Sequence, residues 1–227
     1  MLVVHHLQVS QSERIVWLCE ELGIDYELKL HKRDPIFSPK SIKDLHPLGA
    51  APIIQDGDLT LAESPACVEY IIHIHGSGRL ALPPSHKDYA KYLYWFHFAN
   101  GTLQPAISRL LLLQSAKLDK QNDIVRRTAE RMSLCLEHMD KHLAKGNTWL
   151  AGDEFSAADI LTVFTLTTMR SFYPLDLSPY HNILAYLQRV GKREAYTRAH
   201  EKGDPGLEYM LEGPPPDSFF SKLGGKL

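Results

Sequence analysis

The sequence contains few cysteines, and none of them stands in a CxxC pair. The 3 cysteines, Cys19, Cys67 and Cys135, are spread over a chain of 227 residues. An odd and widely spaced set argues against a disulfide framework and favours a reducing compartment. A chain of this length can bury a sizeable core, so we expect packing to hold the fold together.

Long hydrophobic runs and an excess of positive charge are also missing. The longest apolar run, Leu110–Leu113, is far too short to span a bilayer. The formal net charge is −2 and the basic residues are scattered, so nothing indicates a surface for nucleic acid. The first residues lack the basic lead and the cleavage site of a secretory signal. These absences predict a protein without a membrane or a nucleic-acid partner.

The end of the chain bears on the cellular compartment. Ser221-Lys222-Leu223 would be a peroxisomal address only at an extreme C-terminus. The terminal tripeptide, Gly225-Lys226-Leu227, is a weak variant of that address. We therefore expect a cytoplasmic location.

The first part of the chain alternates between strand and helix periodicity. Apolar residues at helical spacing fill 12–22, and Gly23 follows as a stop signal. Asp56-Gly57 separates two short apolar runs and predicts a hairpin. The predicted strands are 2–4, 26–30, 52–55 and 59–61, and the predicted helices are 12–22, 41–45 and 64–75. This βαβαββα order predicts an α/β unit of about 80 residues.

A change of composition marks the boundary of this unit. Gly76-Ser77-Gly78 and Pro83-Pro84 interrupt the pattern, and only helical periodicity follows them. We expect a first domain at 1–80, a linker at 81–86, an all-helical domain at 87–212 and an irregular tail at 213–227.

The second part carries the signals of a helical bundle. Apolar stripes that start at Tyr89 and Val125 fit its core. Ser156 and Asp159 form a capping box, in which each side chain can bond the backbone amide of the other. The helix that follows, to about residue 169, is apolar nearly all round, which predicts a buried central helix.

Five motifs, in this order and at this spacing, resemble those of the soluble glutathione transferases. They are His5-His6-Leu7 with Ser10, Ser12 and Arg14-Ile15-Val16-Trp17-Leu18; His46-Pro47-Leu48-Gly49 with Pro52; Glu63-Ser64; Tyr92 to Gly101; and Phe155 to Ile160. The resemblance covers the chain to about residue 212. It implies a thioredoxin-like N-terminal domain, an α-helical C-terminal domain and a homodimer. The HPLG motif is similar to that of a fungal and bacterial branch.

Ser10 lies between the first strand and the first helix, where the resemblance places the catalytic serine of serine-type transferases. An unperturbed thiol has a pKa near 8.5, and lowering the pKa of glutathione by about two units requires about 2.7 kcal/mol of selective thiolate stabilisation. A hydroxyl that donates to the anion at a helix N-terminus can supply much of this. Ser12 is the alternative donor and also the better candidate for capping the first helix.

Ala51, Pro52, Glu63 and Ser64 are the candidates for binding glutathione. If the Ala51-Pro52 peptide is cis, the backbone of Ala51 can pair with the cysteinyl backbone of the ligand. Glu63 can accept the ammonium of the γ-glutamyl group. Ser64 is expected to cap the third helix, where its hydroxyl and amide can hold the γ-glutamyl carboxylate. A strand-edge proline and a plain helix cap are the structural alternatives for Pro52 and Ser64.

Lys40 and Lys43 lie in the segment that, in the family, approaches the glycyl carboxylate. Both are equally well explained as solvated surface charges. Ala50 stands where the family often has a basic residue, and it cannot supply that charge.

The acceptor pocket is expected between the two domains. Its candidate apolar walls, each of which core packing would also explain, are Phe98, Leu103, Met169 and Phe172. Asn100 stands where similar sequences often have a glutamate that faces the cleft. Pro105 removes the hydrogen bond to the Gly101 carbonyl and predicts a bend in that helix.

Two other groups of side chains have plain structural explanations. His138 and His142 are four residues apart on a helix, but no acidic or cysteine ligand is near them in sequence, so no metal site is expected. Cys67 lies in the first turn of a helix, where a thiol pKa can fall, but its neighbours predict a packed core position.

These features together predict a dimeric, cytoplasmic glutathione transferase of the serine type. Glutathione would be the co-substrate, no cofactor would be bound permanently, and the acceptor would be a small apolar electrophile. One alternative keeps the site and changes the reaction, to a glutathione-dependent peroxidase or a biosynthetic conjugating enzyme. Another is a regulatory or scaffold protein that binds glutathione with little catalysis. A thiol oxidoreductase is disfavoured because no cysteine lies in the loop around Ser10.

Overall fold

The structure of the chain, a computed structural model, describes residues 1–219. It divides into two compact units. The first unit comprises Met1–Leu82 and Val190–Tyr209, and the second comprises Pro83–Arg189 and the segment from Met210 onward. The terminal tripeptides considered for peroxisomal targeting lie outside the described residues. No helix in the described part of the chain is long and apolar enough to cross a membrane.

The first unit contains a four-stranded mixed sheet in the order β2-β1-β3-β4. Strand β1 pairs parallel with β2 and antiparallel with β3, and β3 forms a hairpin with β4. The strands are β1 Leu2–Leu7, β2 Glu27–His31, β3 Ile53–Asp56 and β4 Leu59–Ala62, and the helices are α1 Glu13–Leu22, α2 Lys40–Lys43 and α3 Ser64–Ile74. The predicted βαβαββα order and the thioredoxin-like fold are confirmed.

Strand β1 is longer than the sequence predicts. The prediction ended it at Val4, because His5 and His6 interrupt the apolar run, but its pairing with β2 continues to Leu7 opposite His31. Both histidines are buried, and their ring nitrogens have hydrogen-bond partners within 3.1 Å. Polar side chains can therefore occupy this central strand because their hydrogen bonds are satisfied inside the unit.

Helix α9, Glu194–Gly203, packs against α1 in the first unit. Lys202 reaches Glu20 at 2.6 Å, and the guanidinium of Arg193 bonds both carboxylate oxygens of Glu21. The sequence grouped α9 with the helical part at 87–212. Helical periodicity shows that this segment has an apolar face but does not show which partner covers it, and here α1 does.

The second unit is helical, as predicted. Its helices are α4 Tyr89–Phe98, α5 Gln104–Ser115, α6 Asp123–Leu143, α7 Ala157–Leu166 and most of α8 His181–Gly191. Every residue of α7 is buried, and the capping box of Ser156 and Asp159 precedes it. The predicted central helix stops at Leu166, and a 3-10 turn, Thr168–Ser171, follows it.

A π-helical turn, Ala99–Leu103, joins α4 to α5 just before Pro105. The amide of Gln104 bonds the carbonyl of Ala99, five residues back. The proline was expected to bend the helix, and the structure has a widened turn at this point. A wider turn is a common response where the regular ladder loses a donor.

Candidate functional site

The loop between β1 and α1 is fixed by groups from distant parts of the first unit. Val9 takes a positive φ of 53°, which is uncommon for a β-branched residue. Its amide donates to a carboxylate oxygen of Asp204 at 2.8 Å, and its carbonyl accepts from Arg33 at 2.7 Å. Arg33 also donates to the carbonyl of Gln8. The backbone that carries Ser10 is therefore held in one conformation.

The hydroxyls of Ser10 and Ser12 lie 2.8 Å apart in this loop. Ser10 is 7% exposed, whereas Ser12 is fully buried at 0%. The backbone amide of Ser12 donates to the Ser10 hydroxyl oxygen at 3.2 Å. Of the two candidate serines, Ser10 is therefore the more exposed residue.

Ser12 does not cap α1 with its side chain, although it occupies the N-cap position. Its φ and ψ of −70° and −13° are helical, whereas a capping residue is usually extended. The hydroxyl instead accepts from the amide of Leu7 at 3.0 Å, with a longer contact of 3.2 Å to the Leu7 carbonyl. The expected cap is therefore wrong, because the hydroxyl turns back toward β1.

Two residues that the sequence did not identify extend this arrangement. The Ser12 hydroxyl lies 2.8 Å from Nδ1 of His6, and Nε2 of His6 lies 3.0 Å from Oδ2 of Asp204. We call Ser10, Ser12, His6 and Asp204 the hydroxyl–imidazole chain; all four are buried. Sequence patterns gave no signal for it, because 198 positions separate His6 from Asp204.

A pocket next to this loop contains several of the predicted glutathione-binding residues. Its lining residues come from the loops before α1 and β3, from the end of β4 and from the residue before α3: Gln11, His46, Leu48, Ala50, Ala51, Pro52, Ala62 and Glu63. The Ala51-Pro52 peptide is cis. The side-chain amide of Gln11 donates to the Ala51 carbonyl at 3.2 Å. Gln11 and His46 are thus added to the candidates; their positions beside Ser10 and in the HPLG motif were the available signals.

Glu63 and Ser64 occupy positions that differ from the expected cap. Helix α3 begins at Ser64, and the N-cap position belongs to Glu63. Glu63 has a positive φ of 73°, a strained conformation that is enriched at binding sites. The Ser64 hydroxyl, which is buried, accepts from a guanidinium nitrogen of Arg14 at 3.0 Å. The hydroxyl thus has a charged donor from α1.

Arg14 is a buried cation that links both sides of this pocket. It donates to the side-chain oxygen of Gln11 at 3.1 Å as well as to Ser64. Burial lowers its pKa to about 9, so it still carries its charge at neutral pH. In the sequence, Arg14 was identified only as one residue of a motif. The structure shows that its charge lies next to Ser64.

The two lysine candidates differ in their surroundings. The Lys40 ammonium bonds both carboxylate oxygens of Asp44 at 2.6 Å, and its side chain is 85% exposed. The stem of Lys43 packs close to Gly49, where an added Cβ would lie 2.9 Å from Lys43 Cγ. Neither lysine lines the pocket described above.

The acceptor-site candidates belong to the second unit. Phe98, Met169 and Phe172 are each 8% exposed, and Leu103 is fully buried. Leu103 is therefore a core residue in this structure. Asn100 is half-buried and lies in the π-helical turn.

Met169 and Phe172 flank a buried cation, Arg170, that anchors the chain beyond α9. Its guanidinium donates to five carbonyl oxygens, those of Leu175, Met210, Glu212, Gly213 and Pro214. The ring of Phe172 contacts that of Phe219 at 5.3 Å. These hydrogen bonds and the ring contact attach the described part of the tail to the second unit.

The other groups considered in the sequence have structural partners. His138 bonds the hydroxyl of Tyr94, and His142 bonds the carbonyl of Leu150. Within residues 1–219, no group of three or more potential ligands is placed to hold a metal ion. Burial raises the pKa of Cys67 to about 12, so its position in the first turn of α3 does not activate the thiol.

Comparison with known families identifies both halves of the chain. Residues 10–74 match the N-terminal domain of glutathione S-transferases, and residues 102–194 match their C-terminal domain.

Individual relatives match over nearly the full length. The chain is 34% identical to glutathione S-transferase 3 of Schizosaccharomyces pombe, over 89% of this chain and 88% of that protein. It is 27% identical to glutathione S-transferase 1 of Saccharomyces cerevisiae, over 88% and 94%. The crystal structure of a glutathione S-transferase from Actinobacillus pleuropneumoniae superimposes with a TM-score of 0.83 at 34% identity, over 92% and 95% of the two chains. The chain belongs to the glutathione S-transferase family.

Proposed function

We propose that this enzyme is a serine-type glutathione transferase in which Ser10 donates a hydrogen bond to the glutathione thiolate. The observation that carries the proposal is the position of the Ser10 hydroxyl. It lies in a fixed loop before α1, it belongs to the more exposed of the two paired serines, and the next residue, Gln11, lines the pocket beside Ala51-Pro52. The HPLG motif and the fungal relatives support the expected branch.

The chemistry required of Ser10 is a shift in the thiol equilibrium. Lowering a thiol pKa of about 8.5 by two units needs about 2.7 kcal/mol of preference for the anion. A hydroxyl donor contributes part of this, and the amides in the first turn of α1 contribute the rest through their dipoles. The bound thiolate would then attack a small apolar electrophile and displace its leaving group.

Residues on the opposite side of the pocket would hold the peptide. The backbone of Ala51, which precedes Pro52, would pair with the cysteinyl residue. Glu63 would accept the γ-glutamyl ammonium, and Ser64 would bind the γ-glutamyl carboxylate. The guanidinium of Arg14 orients the Ser64 hydroxyl and adds positive charge where that carboxylate would lie.

The remaining candidates would contact the glycyl carboxylate of glutathione and the acceptor. Lys43, and Lys40 once it leaves Asp44, would approach the glycyl carboxylate from α2. The acceptor would contact side chains of the domain at 87–212, namely Phe98, Asn100, Met169, Phe172 and, after a rearrangement of the core, Leu103. The glutathione-binding domain would span 1–80, with a linker at 81–86. We also propose that the protein is a homodimer, which light scattering of the purified protein would test. Its proposed location is the cytoplasm.

Replacing Ser10 tests the central assignment. In Ser10→Ala, kcat for an aromatic halide should fall by about tenfold to a hundredfold, while the KM for glutathione changes by less than about threefold, because the contact matters most for the anion. Ser115→Ala, on the exposed end of α5, is the matched control and should behave as the wild type. Unchanged conjugation in Ser10→Ala would remove Ser10 from the mechanism.

Activity on a panel of hydroperoxides and aromatic halides separates the remaining reaction types. Faster turnover of hydroperoxides than of halides would indicate a peroxidase. Retention on immobilised glutathione with negligible turnover over the whole panel would indicate a binding protein without catalysis.

A further inference from the structure

The hydrogen bonds of the hydroxyl–imidazole chain can run in either of two directions. Every heavy-atom separation from Ser10 Oγ through Ser12 Oγ and His6 to Asp204 lies between 2.8 and 3.0 Å. Backbone groups constrain the hydroxyl–imidazole chain, because the Leu7 amide donates to the Ser12 hydroxyl and the Ser12 amide donates to the Ser10 hydroxyl. The Leu7 carbonyl, at 3.2 Å, is a more distant alternative acceptor for the Ser12 hydrogen. Each hydroxyl has one hydrogen to give and two lone pairs to accept with.

The first direction holds when His6 is neutral. Opposite the Asp204 carboxylate, the ring hydrogen of a neutral His6 belongs on Nε2, so Nδ1 is an acceptor. Ser12 then donates to Nδ1, and Ser10 donates to Ser12. The remaining lone pair of the Ser10 oxygen can accept a hydrogen bond from a neutral thiol.

The second direction holds when His6 carries a second proton. Nδ1 then donates to Ser12, Ser12 donates to Ser10, and the hydrogen of Ser10 points outward. That orientation suits a thiolate. In both directions Ser12 uses its one hydrogen and both lone pairs, and the one site left open on Ser10 is the site that faces the ligand sulfur.

We propose that His6 and Asp204 are positioning residues that act through Ser12 to set the direction of the Ser10 hydroxyl and to receive the thiol proton. The thiol proton passes to Ser10 Oγ, the Ser10 proton passes to Ser12 Oγ, and the Ser12 proton passes to Nδ1 of His6. One S–H bond breaks and one N–H bond forms, and both hydroxyls are regenerated. The products are a thiolate that accepts from Ser10 and an imidazolium paired with Asp204. This proposal rests on the assignment of Ser10 as the thiolate partner.

The charges around His6 suit the role of a proton acceptor. Asp204, at the end of α9, is the carboxylate that faces it. Other titratable groups near this pair are His31 on β2, His200 on α9 and the guanidinium of Arg33 after β2. Glu13 on α1 lines a small pocket together with Asp204 and His200. Burial lowers the pKa of His31 and of His200, so both imidazoles are neutral at neutral pH. Asp204 gives an imidazolium at His6 a carboxylate partner at 3.0 Å.

The experiment follows the ultraviolet absorbance of the bound thiolate against pH in the full-length enzyme saturated with glutathione. In His6→Asn the side-chain amide lies close to the former Nδ1 and can bond Ser12, but it cannot take a proton. The apparent thiol pKa should rise by about one unit, which is about tenfold less thiolate at a fixed pH below both values. Binding of glutathione should change by less than about threefold. His5→Asn is the matched control, because His5 bonds His31 and Gln55 and is not part of the hydroxyl–imidazole chain. The titration of the bound thiol in this variant should match that of the wild type.

A further variant keeps the test decisive if His6→Asn does not fold. Ser12→Ala cuts the hydroxyl–imidazole chain in the middle and should raise the thiol pKa as His6→Asn does. Folded variants with a wild-type thiol titration would overturn the proposal.

The double variant Ser10→Ala with His6→Asn distinguishes this proposal from the one on which it rests. If His6 acts through Ser10, the second substitution should add no further shift to that of Ser10→Ala. A purely structural role of His6 would lower the stability in both backgrounds and leave the thiol titration unchanged. If Ser10→Ala alone leaves the titration unchanged, the assignment of Ser10 fails. If Ser10→Ala shifts it and the His6 and Ser12 variants do not, only the present proposal fails.

Discussion

Nε2 of His6 and a carboxylate oxygen of Asp204 lie 3.0 Å apart, and Gly203 makes this approach possible. An added Cβ at Gly203 would lie 3.1 Å from the same ring nitrogen. The residue before Asp204 must therefore be small for the imidazole to reach its partner.

Gly203→Ala should displace the His6 ring from Asp204. We expect the free energy of unfolding to fall by about 1–2 kcal/mol, because a tight contact in a packed interior forces a shift of the neighbour. The apparent pKa of the bound thiol should rise in the same variant. Chemical denaturation and the thiolate titration measure the two effects.

Gly101→Ala provides the comparison for that substitution. An added Cβ at Gly101 meets no atom within 4 Å, and its backbone is in a helical turn. Its stability should be unchanged or higher by about 0.5–1 kcal/mol, since alanine loses less backbone freedom than glycine on folding. Equal destabilisation of both variants would contradict the steric argument at Gly203.

Arg170→Lys should loosen the chain beyond α9. Burial lowers the pKa of Arg170 to about 10, so the cation is retained, and five carbonyl oxygens satisfy its donors. A lysine ammonium has three donors and no planar fork, so several buried carbonyls would lose their partner, at a cost of about 2–3 kcal/mol. Limited proteolysis should then cut the segment from Met210 faster than in the wild type.

Arg189→Lys is the matched control for this clamp. Arg189 is on α8 and donates to the Thr148 carbonyl at an exposed position. Its stability should change by less than about 0.5 kcal/mol. Faster proteolysis after Arg189→Lys, or an unchanged rate of proteolysis after Arg170→Lys, would argue against an anchoring role of Arg170.

Asp56→Asn should reduce the loss of stability in acid. A hydrogen bond from His75 at 2.6 Å, together with that from Tyr70, holds the pKa of Asp56 below its ordinary value of 3.8. A carboxyl with a depressed pKa stabilises the fold above its unfolded pKa, and this contribution is lost as the pH falls through the folded value. The wild type should therefore lose more of its free energy of unfolding than Asp56→Asn between pH 5 and pH 2.

Asp58→Asn serves as the control for the acid titration. Asp58 is exposed in the turn between β3 and β4, and asparagine suits the same turn. Its dependence of unfolding free energy on pH should follow that of the wild type. If the free energy of unfolding of Asp56→Asn fell in acid as steeply as that of the wild type, the contact with His75 would contribute no pH dependence.

The three cysteines should be inert in the folded protein. All are buried, and burial raises the pKa of each thiol, to about 12 for Cys67. Reaction with a disulfide reagent at neutral pH should be slow in the native state and should reach three thiols per chain after unfolding. Rapid labelling of Cys67 in the native protein would contradict the packed position derived for it.

The sequence determined the order of elements and the regions where chemistry is concentrated. Periodicity gave βαβαββα followed by helices, because strands and helices repeat apolar residues at different spacings. The motifs at Ala51-Pro52 and Glu63-Ser64 were located by their resemblance to those of the glutathione transferases, since their residues are close along the chain. Local patterns identify such features well.

Tertiary structure decided the parts that depend on contacts between distant segments. The hydroxyl of Ser12 could have capped α1, but His6 and Leu7 offered it partners on β1. The first residue of α3, Ser64, could have been a plain cap, but Arg14 on α1 reaches its hydroxyl. Helix α9 could have joined the bundle, but it packs on α1 and brings Asp204 to His6. The sequence alone determined which residues could do chemistry, whereas packing decided which of them meet, because hydrogen-bond partners far apart in a chain leave no periodic signal.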